Sequence, residues 1–280
     1  VLDWDFKNPS ELFKKFYPAD VLETGHDILL FWVIRMLLLG YEYTGEAPFK
    51  TIYLHGLLLD EKGRKFSKSL GNGIDPIELI EQYSADALRL SVVVGNTPGN
   101  NFKFSTETVQ QNQLFLNKLW NVARFVMMNI GEITKSYDEL HDTLKTNYTD
   151  LLDHEKWFLS RLRHTVDTVT TGMDEHNYSI GGEQLYKCTK DEFADYAIEC
   201  FKITKEQGKH GADVLAYSLL TLLKLWHPYI PFITEKLYGT ITGELLIDNT
   251  WAKCDLPYDA KLEKNLSTLF DLVYQIRNIR

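Results

Sequence analysis

Cysteine is scarce in this 280-residue sequence: there are three, Cys188, Cys200 and Cys254, widely spaced and without a C-x-x-C pair. That pattern excludes a disulfide framework and a structural zinc site of ordinary spacing, and it fits a reducing compartment. Long apolar runs are also missing. The longest, Ile28 to Leu39, is interrupted by Arg35, and it falls short of the roughly 20 residues that a membrane span needs. The first residues, VLDWDFKNPS, hold neither a basic n-region nor an apolar h-region, so no secretory signal is visible. A cytoplasmic protein is expected. Positive charge is in deficit, with 30 Lys and Arg against 39 Asp and Glu, a net charge of −9. This argues against coating nucleic acid through bulk charge and leaves room for a local basic site. No start Met is present, and a piece of a longer protein is expected.

What is there is globular: 44% of residues are hydrophobic and 25% charged, enough to bury a core. Residues 1–22 read as a lead-in segment broken at Pro18. ILLFWVIRMLLL reads as a helix apolar nearly all round, hence buried on most faces, and ended by Gly40. TIYLHGLLL reads as a core strand, DEKG as a turn and RKFSKSLGNG as a loop. Asp75–Pro76 and Ser84 are helix starts, and GNTPGNN is a turn-rich divider. Beyond it the pattern is helical. Ser105 opens a helix towards Gly131, and helical spacing recurs from Phe158 to Met173 and from Phe193 to Phe201. Leu215 to Trp226 is nearly continuous apolar helix, HPYIPF breaks it, and a last helix starts at Leu262. The expected architecture is α/β to about residue 103, then all-α.

Chemistry concentrates in Arg64-Lys65-Phe66-Ser67-Lys68-Ser69, flanked by Gly63 and Gly71. Lys65 and Lys68, with the Ser67 hydroxyl between them, suit an anion bearing several charged oxygens, such as a triphosphate. Taken alone, such a run is more often a solvated basic turn. Two other segments accompany it. Thr24-Gly25-His26-Asp27 precedes the apolar helix, where Asp27 reads locally as a cap. Tyr53-Leu54-His55-Gly56 ends a strand, where ligands of open α/β sheets bind.

RKFSKSLGN resembles the KMSKS signature of class I aminoacyl-tRNA synthetases, with Phe66 in the Met position. TGHDILLFWVIRM, PFKTIYLHGLLLDEKGRKFSKSLGN, DPIELI and ADALRL resemble the valine/isoleucine/leucine branch. HPYIPFITEKLY resembles the anticodon-domain helix of that branch, while TPGNNFKFS followed by NKLWNVARFVMMN, and QIRNIR, resemble its valine-specific members. The resemblance implies the second half of a Rossmann-like catalytic domain over 1–72, a stem-contact segment over 73–112 and a helical anticodon-binding domain over 113–280.

It further implies a valine–tRNA ligase: ATP-dependent activation of valine and its transfer to tRNA-Val, with Mg²⁺ accompanying the ATP and the protein a monomer. Lys65 and Lys68 would be catalytic and contact phosphates together with Ser67. Gly25, Asp27, His55 and Gly56 would approach the nucleoside. Trp32 would wall the amino-acid pocket, with core packing as its alternative. Arg89 would be structural. No H-x-G-H tetrad of the family's first half occurs, and neither its editing domain nor its coiled coil is recognisable. These residues alone are therefore expected to be inactive. The alternatives are a non-catalytic tRNA-binding module and a fragment of the isoleucine-specific relative.

Overall fold

The computed structural model describes residues 5, 8–131 and 133–279, with only the backbone for 68, 274 and 277–279. Two compact units form: residues 1–74 with 96–105, and residues 75–95 with 106–280.

The first unit is built on two parallel strands. Helix α1 (Glu11–Phe16) is capped by Ser10, whose side chain accepts from Phe13 N. Strand β1 (Ala19–Gly25) follows and pairs in parallel with β2 (Phe49–His55), in a register that sets Gly25 opposite His55. A parallel pair needs a crossover. Here it is a 3-10 turn (His26–Ile28), a wide π turn (Leu29–Val33) and helix α2 (Ile34–Thr44). Gly40 does not end α2; Gly45 does, with φ +77°. Burial on most faces is likewise corrected: Val33 is buried, but Leu30, Phe31 and Leu38 are 66–71% exposed. A two-stranded sheet has too little surface to cover a helix that is apolar all round.

β1 is absent from the sequence reading because ADVLETG lacks the alternation of a half-buried strand; its last two positions are buried and the rest are not. The single predicted strand TIYLHGLLL splits at Gly56 into β2 and β3 (Leu58–Leu59). β3 pairs in parallel with β4 (Phe102–Lys103).

The second unit is helical. It holds α3 (Pro76–Gln82), α4 (Ala85–Val93), α5 (Thr106–Ile130), α6 (Tyr137–Thr146), α7 (Asp153–Asp174), α8 (Tyr178–Lys187), α9 (Ile198–Thr204), α10 (Gly211–Trp226), α11 (Pro231–Thr242) and α12 (Ala260–Ile279). The predicted starts hold: Asp75 accepts from Ile77 N with Pro76 in the first turn, and Ser84 accepts from Ala87 N. Residues 188–197 wind as a π-helix rather than an α-helix before α9.

α10 is the core element, packing on α5, α6, α7, α8 and α11 with every residue from Val214 to Trp226 buried. Lys224 survives there because its ammonium reaches Asn249 Oδ1 (3.1 Å) and Thr250 O (2.9 Å). It also lies over the Tyr137 and Tyr238 rings. Burial lowers its pKa from the ordinary lysine value. α4 secures the HPYIP break. Asp86 accepts from Phe232 N and Ile233 N at the start of α11, while Arg89 donates to the carbonyls of Pro228 and Tyr229. Burial raises the Asp86 carboxyl above its usual range even so.

Candidate nucleotide-phosphate site

Within the first unit, the carboxyl ends of β1 and β2 bring together residues 30 positions apart in sequence. Gly25 and His55 are register partners, and a Cβ on Gly25 would lie 2.8 Å from Asp27 Oδ1 and 3.6 Å from His55 Cε1. A side chain at position 25 would displace the Asp27 carboxylate. Asp27 sits in the first turn of the 3-10 segment directly after β1, with Gly25 rather than Asp27 at the N-cap position. The His55 Nδ1 lies 2.8 Å from Gly56 O; a carbonyl only accepts, so Nδ1 carries the proton. Its Nε2 lies 3.4 Å from Glu23 Oε1.

Gly56 has a separate reason to be glycine. A Cβ there would fall 1.6 Å from Asn100 O, so the 96–105 segment passes directly over it. Asn101 Oδ1 accepts from Leu57 N at 2.7 Å and extends that contact.

The basic loop folds back to these strand ends. Lys65 Nζ pairs with Asp27 Oδ2 at 2.9 Å, across 38 residues. That hydrogen bond is the main reason the exposed Asp27 carboxyl is lowered from its ordinary pKa. Arg64 is committed elsewhere, its Nε and a terminal nitrogen on Asp60 Oδ2 at 2.8 and 2.7 Å. Asp60 also accepts from Lys62 N, Arg64 N and Asn72 Nδ2, and it lies far below the usual carboxylate range, chiefly through Asn72. Ser67 Oγ lies 3.2 Å from Ser69 Oγ and accepts from Leu70 N. Lys68 begins a 3-10 turn, and its side chain lies outside the described residues.

The structure thus gathers Gly25, Asp27, His55 and Lys65, with Gly56 beside His55. Trp32 stands in the π turn after Asp27 and is half exposed in this chain. Asp60, Asn72 and Asn101 were missed as organising residues. Asp60 opens a DEKG turn and Asn72 follows Gly71, positions that read in sequence only as turn formers. No group of three or more His, Cys, Asp or Glu side chains is placed to hold a metal ion among the described residues.

Comparison with known proteins places the chain in a family. Residues 1–105 match the family described as tRNA synthetases class I (I, L, M and V), and residues 155–280 match the anticodon-binding domain of tRNA ligase. The chain belongs to the class I tRNA synthetases of that group, comprising a C-terminal part of the catalytic region and an anticodon-binding domain. Among its relatives, the valine–tRNA ligase of Bacillus cereus is 40% identical over all of this chain and 32% of its own length. That of Bacillus subtilis is 40% identical over 97% of this chain and 31% of its own length. The chain therefore spans about a third of the curated relatives it matches. Of solved structures, Agrobacterium radiobacter LeuRS in a ternary complex with tRNA and LeuAMS superposes with a TM-score of 0.70 at 22% identity, over 91% of this chain and 31% of that one. Mycobacterium tuberculosis methionyl-tRNA synthetase with methionyl-adenylate superposes at 0.60 and 21% identity, over 82% and 45%. At that identity the two show the shared fold.

Proposed function

We propose that the chain is the phosphate-loop and anticodon-binding portion of an ATP-dependent valine–tRNA ligase. The observation that carries this reading is the basic loop folded onto the ends of two parallel strands, with Lys65 against Asp27 at 2.9 Å. In the whole enzyme a valine carboxylate oxygen attacks the α-phosphorus of ATP and pyrophosphate leaves. A terminal ribose hydroxyl of tRNA-Val then attacks the acyl carbon and AMP leaves. Neither step needs a covalent enzyme intermediate, so the protein's contribution is placement and charge. Lys65, with Lys68, stabilises the charge that develops on the α-phosphate and the departing pyrophosphate. Ser67 adds a hydroxyl donor. Gly25 lets the nucleoside approach the backbone, Asp27 accepts from its ribose, and His55 and Gly56 border it. Trp32 walls the valine pocket. Mg²⁺ travels with the triphosphate as its counter-ion.

Valine is favoured over isoleucine by the 40% identity to valine–tRNA ligases across the full chain. The helical unit takes the anticodon arm. These 280 residues alone have little or no valine activation, since no H-x-G-H tetrad lies among them.

A segment exchange tests the reading. Placed in the Bacillus cereus valine–tRNA ligase instead of its matching segment, this chain supports valine-dependent ATP–pyrophosphate exchange. Lys65→Ala in that chimera lowers the exchange rate by about 10²–10³, the range for losing one donor to a developing anion. Exchange that is isoleucine-dependent, or indifferent to Lys65→Ala, contradicts it.

A further inference from the structure

We propose that Asp60 and Asn72 are positioning residues: they clasp the basic loop into two closed lobes and thereby fix where the Lys65 ammonium is presented. The first lobe runs from Leu59 to Lys65, joined by an antiparallel bridge between those residues and by Asp60 N donating to Arg64 O at 2.8 Å. The second runs from Lys65 to Asn72, closed by Asn72 Nδ2 donating to Lys65 O at 3.3 Å and Ser67 N donating to Asn72 Oδ1 at 3.0 Å. One bond joins the lobes, Asn72 Nδ2 to Asp60 Oδ2 at 3.0 Å. Lys65 is the residue the lobes share. Its backbone is held from the first lobe by Leu59 and from the second by Asn72, and its side chain leaves the junction for Asp27.

The side-chain types follow from this geometry. Position 72 must donate to a carboxylate and a carbonyl while accepting from an amide N–H, which a carboxamide does and a carboxylate does not. Position 60 accepts from two backbone N–H groups, the Arg64 guanidinium and Asn72, and its side chain is 12% exposed. The full charge of a carboxylate suits that many donors. Arg64 is thereby consumed inside the loop, and Lys65 is the cation the clasp delivers to the strand ends. Gly63 and Gly71, at φ +77° and +62°, supply the left-handed turns that let each lobe close.

The proposal rests on the reading of this loop as a triphosphate cradle, and one titration separates the two. Inorganic tripolyphosphate is titrated calorimetrically into the 280-residue chain at low salt, as wild type, Lys65→Ala, Asn72→Ala and the double variant. Amide exchange at Lys62, Arg64 and Ser67 reports whether the clasp has opened. Wild type binds, and Lys65→Ala weakens binding about tenfold, the scale of one charge-assisted contact. Asn72→Ala speeds exchange at the loop amides and weakens binding severalfold. The double variant binds no worse than Lys65→Ala, because Asn72 acts through Lys65. A clasp effect of the same size in the Lys65→Ala background, or wild-type affinity in Asn72→Ala, overturns the proposal while leaving the cradle standing. No binding by wild type, or binding unmoved by Lys65→Ala, overturns the cradle and the clasp's role with it.

Discussion

At Gly56 the chain tolerates no side chain, because Asn100 O occupies the place a Cβ would take. Gly56→Ala must push the 96–105 segment off β2 and β3, an overpacking that costs about 1–3 kcal/mol. Urea unfolding followed in the first unit reads this as a lower midpoint at unchanged slope; an unshifted midpoint contradicts the close approach. Gly25 faces a gentler neighbour, the mobile end of Asp27, so its constraint concerns the site more than stability. None of this is visible in the string HG, where glycine reads as a turn former. Of the chemistry-bearing residues, Lys65 stands out in sequence as part of a basic, glycine-flanked run and His55 as the end of a strand, whereas Asp27 reads locally as a cap and joins them only through the family resemblance. What sequence could not supply was their joining: the Lys65–Asp27 pair spans 38 residues, and Arg64 is diverted to Asp60.

At the scale of elements, helical periodicity carried the second unit, since each helix buries a stripe against α10 or its neighbours. Three features escaped for physical reasons. β1 exposes most of its length and so shows no alternation. Residues 188–197 keep the apolar spacing of a helix while winding as a π-helix, which spacing over ten residues does not resolve. The Ile28–Leu39 run reads as buried from its composition, but burial depends on what packs against it, and these 280 residues leave much of it exposed.

The joins between elements were also illegible. Arg161 on α7 reaches Glu192 in the π-helix over 188–197 at 2.8 Å and Glu263 on α12 at 3.1 Å, and Ser160 donates to the same Glu263. All three charged side chains are largely buried. Arg161→Met strands two carboxylates there, so unfolding should cost about 3–5 kcal/mol less than in wild type. Denaturant titration of the second unit measures it, and a loss below about 1 kcal/mol, the usual worth of an exposed pair, would contradict the assignment.

For the whole molecule, the deficit of positive charge takes on a different meaning. A net charge of −9 excludes binding RNA by bulk attraction. It agrees with a protein that meets its anions locally: basic side chains cluster at Lys62, Arg64 and Lys65, and a helical unit that took a folded RNA by shape and unpaired bases, as proposed, would need no net positive charge. On the proposed function, this unit takes the anticodon arm of tRNA-Val. Electrophoretic mobility shift of the 280-residue chain at low salt tests it most directly, with tRNA-Val and a non-cognate tRNA of equal length in parallel. tRNA-Val shifts at a concentration clearly below that needed for the non-cognate RNA. Equal shifts for both, or no shift for either, would contradict it.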